Sequence, residues 1–163
     1  EAGSRRAAFA PIDLAPVLAD VAEFYGVVAE SRGQSLETDL PAALETVGDR
    51  DLLAQAAGNL IDNALKFAPE GGRVRLTARA LPRERIEIAV EDSGPGLAPE
   101  DRARAGTRFF RADSSRATPG SGLGLSLVQA VARLHGGDLV LEDAPEELGG
   151  TPGLRATIRI GPA

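Results

Sequence analysis

The 163-residue chain predicts an α+β fold in two layers, with helices on one face of a mainly antiparallel β-sheet. Three stretches carry apolar residues at helical spacing, and two pairs of segments alternate apolar and polar residues as hairpins do. The order is helix, strand, helix, hairpin, long loop, helix, hairpin, which leaves the helices to cover one side of the sheet. A chain of this length is expected to make one domain.

Glu1 to Pro11 is small, basic and unpatterned, and reads as a linker, with the folded domain over 12–163. Leu14, Val17, Leu18, Val21, Phe24, Tyr25 and Val28 then recur at helical spacing, with Asp13 placed to cap them and Gly33 to end the helix. Ser35–Leu40 reads as a short strand, and Ala43–Gly48 leads into a second helix from Asp49 to about Phe67. Pro69-Glu-Gly-Gly72 is a turn. Val74, Leu76 and Ala78, then Ile86, Ile88 and Val90, alternate as two half-buried strands joined over Leu81–Glu84. Ser93 to about Ser121 is rich in Gly, Pro, Ser, Asp and Arg, a loop long enough to be functional or disordered. A third helix follows over about Leu123–Leu134 and stops at Gly136-Gly137, and Asp138–Leu141 and Leu154–Ile160 are the last strands.

Composition removes several kinds of chemistry. Cysteine is absent, so disulfides, thiolate chemistry and most structural zinc sites go with it. A single histidine, His135, makes no histidine cluster. The net charge of −6 argues against affinity built on neutralising nucleic-acid phosphates. No apolar run reaches the roughly 18–20 residues that span a bilayer, and the opening residues lack the apolar core of a signal peptide. With no methionine in it, the chain is expected to be a fragment or a processed product.

Three features remain that could hold a ligand. In NLIDNALKF, helical geometry puts Asn59, Asn63 and Lys66 (the chain's one lysine) within an arc of roughly 60°, with Gln55 beside them. Asparagine is a poor helix-interior residue, so this stripe is either a solvated polar face or one turned to an anionic ligand. An amide oxygen there can ligate a hard cation such as Mg²⁺. Counting by twos from Ile86 brings Asp92 to the interior face of its strand, where a carboxylate needs a donor. The DSGPG that it opens is both a good turn and, through Gly94 and Gly96, a place for close approach of a ligand. Finally, Gly120, Gly122 and Gly124 precede the third helix, offering backbone N–H groups and a helix N-terminus to phosphates.

Taken in order, NLIDNALKF, DSGPGL, RFFRADSSR and PGSGLGL resemble the N, G1, F and G2 boxes of sensor histidine kinases, members of the GHKL superfamily. The resemblance covers nearly the whole chain, with GDRDLLAQAAGNLIDNA, LHGGDL and PGLRATIRI also in their expected places. It implies the GHKL histidine-kinase ATPase-like α/β sandwich: a mixed, mostly antiparallel sheet under three helices, with ATP beneath a lid at about 98–119. It also implies that Asp92 accepts from the adenine amino group, that Gly94 and Gly96 shape the base pocket, and that Phe67 packs on the base. Asn63 would ligate Mg²⁺, while Asn59 and Lys66 line the phosphates and Arg111 reaches the γ-phosphate. Gly120, Gly122, Leu123 and Gly124 would cradle the phosphates. Two departures stand out: Gly106 replaces a usual Phe, and Gly153 is the remnant of a blurred third glycine box.

Asn59 replaces the glutamate that GHKL ATPases use as general base, which favours transfer to an imidazole over attack by water. His135 lacks the following acidic residue of phosphoacceptor helices and is expected to be structural. The acceptor would lie on a helical dimerisation domain upstream, in a parent that is a homodimer signalling to a response regulator. The domain by itself is expected to be a cytoplasmic monomer that binds ATP and ADP but neither nucleic acid nor membrane. A stand-alone GHKL serine kinase of the anti-sigma-factor type is disfavoured by RFFRADSSR. A degenerate nucleotide-sensing or docking module is disfavoured by the intact Asn63, Lys66, Asp92 and Arg111.

Overall fold

The computed structural model describes residues 8–93, 123–144 and 153–161. In chain order these form β1 (Ala10–Asp13), α1 (Leu14–Ser31), β2 (Ser35–Asp39), β3 (Glu45–Gly48) and α2 (Arg50–Phe67). Next come β4 (Arg73–Leu81), β5 (Arg85–Asp92), α3 (Leu123–Leu134), β6 (Asp138–Asp143) and β7 (Leu154–Ile160). Five strands pair in the order β2-β4-β5-β7-β6, with β2 parallel to β4 and every other pair antiparallel, so the sheet is mixed and mostly antiparallel as expected.

Local chemistry sets the helix ends. Asp13 caps α1, its Oδ1 accepting from the Ala15 N–H at 3.1 Å, and the same oxygen takes the Leu44 N–H at 2.8 Å. Asp49 caps α2 by accepting from the Leu52 N–H at 3.1 Å. The other end of α2 is closed from a distance: Gln34 Nε2 donates to the carbonyls of Leu65 at 2.8 Å and Ala68 at 2.7 Å. Gly33 and Gly136 adopt positive φ just past α1 and α3, where an L side chain would be strained.

The three described helices lie on one face of the sheet. Leu14 and Leu18 of α1, Leu53, Ile61 and Leu65 of α2, and Val128 and Val131 of α3 close over Leu76, Ile88, Val90 and Ile158 in one core. No described helix is long and apolar enough to cross a membrane.

Two short strands correct the sequence reading. Ala10 and Pro11, read as linker, belong to β1, and Glu45–Gly48, read as the approach to the second helix, is β3. They pair antiparallel from Ala10↔Gly48 to Asp13↔Glu45 as a ribbon apart from the main sheet. Each is four residues long, and Pro11 suits a two-stranded ribbon because both strands are edges. Nothing local in either segment announces the pairing, which joins residues more than thirty positions apart.

The sheet's other face is a weave of charge. Glu87 and Glu91 are only 3% exposed there. Arg79 Nε meets Glu87 at 2.9 Å, Arg159 Nε meets it at 2.9 Å, and Arg75 Nη2 meets Glu91 at 2.7 Å. Arg155 reaches both carboxylates, at 3.5 and 3.6 Å. A depression of about 400 Å³ lies here, walled by these paired arginines and glutamates together with Asp39, Thr77 and Ala78.

Burial pushes the Glu87 carboxyl up, but hydrogen bonds from Arg159 and Arg79 and their charges outweigh it and hold it below the usual glutamate range. A depressed folded-state pKa contributes stability above the unfolded value that is lost as pH falls through the folded one. Glu87→Gln is therefore expected to cost about 1.5–3 kcal/mol near neutral pH and to flatten the acid limb of stability. Urea midpoints for both proteins at neutral and acidic pH check this. An equal acid loss in the variant would place the titration elsewhere.

Candidate nucleotide site

Asp92 is the last residue of β5 and only 2% exposed. Strand alternation turns it to the helix-covered face, as the sequence indicated, beyond Val90. Its surroundings fix it from both sides. On the β4 side, Ser93 N–H donates to the Arg73 carbonyl at 3.0 Å, and Arg73 N–H donates to Ser93 Oγ at 2.9 Å. On the β7 side, Leu154 N–H donates to Asp92 Oδ1 at 3.4 Å. Gly153 comes so close to the Asp92 carbonyl that a Cβ would overlap it. This buried acid is thus met by a backbone N–H on the β7 side.

Helix α2 packs against β5 and against both other helices. Its core side carries Leu53, Ala56, Leu60, Ile61 and Ala64, and Asn59, Asn63, Lys66 and Phe67 sit half-buried on the remaining arc. Lys66 Nζ pairs with Asp62 at 3.0 Å, an i,i+4 contact with both side chains about a third exposed. That weak pair holds the lysine on the polar arc and leaves it able to swing. The structure therefore places two half-buried amides and a cation on one stripe, not a fully solvated face.

Leu123 and Gly124 open α3, the helix beside α2. A Cβ on Gly124 would meet no atom of the described residues within 4 Å. Gly94, Gly96, Arg111, Gly120, Gly122 and the expected lid over 98–119 lie outside the described residues.

His135 ends α3 and is 6% exposed. Its Nδ1 donates to the Val131 carbonyl at 2.8 Å, a cap at the end of the helix, while Nε2 accepts from the Asp49 N–H at 3.0 Å. Both ring nitrogens are engaged, and it is no accessible nucleophile.

Sequence reasoning missed the partners that act through backbone: the Leu154 N–H, the Ser93–Arg73 bracket and the Gln34 amide at the end of α2. Only Gly153 had left a trace, as an oddly placed glycine.

The described part of the site brings a buried carboxylate, a stripe of helix amides and the first turn of α3 onto the helix-covered side of the sheet. This is the layout of a GHKL nucleotide-binding domain. The family model for histidine kinase-, DNA gyrase B- and HSP90-like ATPases matches residues 48–162, and the chain belongs to that family. Within it, this is the catalytic ATPase domain of the sensor histidine kinases.

The chain is 39% identical over 143 residues to MprB of Mycolicibacterium smegmatis, a signal transduction histidine-protein kinase/phosphatase, covering 87% of this chain and 28% of the relative. It is 40% identical over 136 residues to the sensor-like histidine kinase SenX3 of Mycobacterium tuberculosis, covering 82% of this chain and 33% of that one. The chain thus spans about a third or less of these relatives. The structure of the mycobacterial sensor histidine kinase MprB superposes with a TM-score of 0.84 at 32% identity, over 94% of this chain and 100% of that one. The ATP binding domain of PrrB from Mycobacterium tuberculosis gives 0.70 at 32% identity, over 96% of this chain and 99% of that one.

Proposed function

We propose that this domain transfers the γ-phosphoryl group of Mg·ATP to a histidine on a separate helical dimerisation domain, in a homodimeric parent that signals to a response regulator. The observation that carries this is the inward Asp92, fixed by backbone at the end of β5, on the sheet face covered by a helix that bears Asn59 where a hydrolase would need an acid. Full-length ShkA, similar to this chain over 93% of its length at 29% identity, was crystallised in complex with AMPPNP.

Asp92 accepts from the adenine amino group, and Phe67 at the end of α2 packs against the base. Asn63 offers a neutral hard oxygen to Mg²⁺, and among the described residues no cluster of three or more His, Asp or Glu competes for the ion. Mg²⁺ supplies charge neutralisation on the phosphates. Lys66 leaves Asp62 for the phosphates, and Asn59, Gly120, Gly122, Leu123 and Gly124 line them, with Arg111 on the γ-phosphate. Gly94 and Gly96 shape the base pocket and the 98–119 segment covers the nucleotide.

In the transfer an imidazole nitrogen bonds to the γ-phosphorus, the bond to the β,γ-bridging oxygen breaks, ADP leaves and the imidazole proton passes to solvent. The chain's own His135 cannot serve, because α3 puts about 18 Å between it and the phosphate-binding end of the helix. The site operates in the cytoplasm, where ATP is supplied.

Incubation with γ-labelled ATP tests this. The chain alone should bind ATP, hydrolyse it slowly and stay unlabelled, and the parent's helical domain added in trans should acquire an acid-labile phosphohistidine. Asn63→Ala should cut that transfer at least tenfold while ATP without Mg²⁺ still binds. Label on His135, or normal transfer by Asn63→Ala, would refute the assignment.

A further inference from the structure

We propose that His135 is a positioning residue which, with Phe9 stacked on it, couples the chain entering at Phe9 to the nucleotide site. The inference rests on the nucleotide-site reading above. The His135 ring lies against Phe9 with centroids 4.5 Å apart and planes 18° from parallel. The same ring receives the Asp49 N–H on Nε2 and holds the Val131 carbonyl through Nδ1. Its own carbonyl accepts from the Gly161 N–H at 3.2 Å. The fit against β3 is close: a Cβ on Gly48 would come within 2.7 Å of His135 Cδ2. One buried residue, through its ring and its own carbonyl, therefore joins the segment before β1, the junction of β3 with α2, the end of α3 and the residue after β7.

What makes this a lever is where the two helices lead. Asp49 caps α2, and Asn59 and Asn63 lie about 15–21 Å farther along it. Val131 is in the last turn of α3, whose first turn, about 12 Å away, carries Leu123 and Gly124. α2 and α3 pack on each other, so a shift of the His135 ring moves their remote ends together. Among the described residues before β1, Phe9 stacks on that ring. Displacing it changes how the α2 amides face the α3 N-terminus, and nucleotide binding must act back on Phe9 to the same extent.

The sole histidine of the chain reports on itself by NMR. Calorimetry with Mg·AMPPNP and the His135 ring signals should be followed in the unmutated chain, Phe9→Ala, Phe9→Tyr and Ile12→Val. We expect nucleotide to shift the His135 signals, Phe9→Ala to change affinity about fivefold, and Phe9→Tyr, which keeps the stack, to restore it. Ile12→Val loosens β1 without touching the ring and should leave affinity unchanged. No binding by the unmutated chain would overturn the nucleotide-site reading and this inference with it. Binding that is equal in Phe9→Ala, with the ring-current shift gone from His135, would overturn the coupling alone and leave Phe9 a simple anchor.

Discussion

Asp92→Asn is expected to weaken ATP binding roughly ten- to a hundredfold and to erase most of the preference for ATP over GTP. A hydrogen bond to a charged acceptor contributes about 1.5–3 kcal/mol, and each 1.4 kcal/mol is about tenfold in affinity. Adenine offers an amino donor to the carboxylate, whereas guanine sets a carbonyl oxygen against it. The effect is large because Asp92 is buried and its position is over-determined, so the donor meets a group that cannot turn away. The amide of the variant still accepts from the Leu154 N–H, so the fold survives the change. Titration calorimetry of ATP and GTP into both proteins measures it. Equal affinities for the two nucleotides in the unmutated chain would remove Asp92 from the base site.

Gly153→Ala should be a strongly damaging single-methyl change that bears on the site. A Cβ there would overlap the Asp92 carbonyl, which is backbone and has no rotamer to yield. Either β7 moves off β5 or the end of β5 bends, and a cost of about 3 kcal/mol follows from overpacking of this kind. Base binding should fall with it, since the distortion is centred on Asp92. Gly26→Ala is the contrasting case. It lies in α1, a Cβ there meets nothing within 4 Å, and removing a helical glycine should stabilise by about 0.5–1 kcal/mol. Urea unfolding of the two variants separates them, and a Gly153→Ala protein as stable as the unmutated one would mean that β5 and β7 are not so closely apposed.

Much of this protein is written in local pattern. Helical spacing and two capping aspartates determine α1 and α2 to within a residue or two, and period-two alternation determines β4, β5 and β7 and the inward turn of Asp92. The polar stripe on α2 was legible for the same reason, since 100° per residue is enough to gather Asn59, Asn63 and Lys66 on one arc. Tertiary structure alone decided the rest. The pairing of β1 with β3, the parallel seat of β2 on β4, the Gln34 amide that closes α2 and the ring of His135 between Phe9 and Asp49 all join distant segments. A backbone donor such as the Leu154 N–H looks the same in every sequence, and a Gly differs from its neighbours only by the atoms that some other strand needs it to lack. Periodicity carries the first kind of information because one helix or strand suffices to express it. The second kind exists only after the chain has folded back on itself.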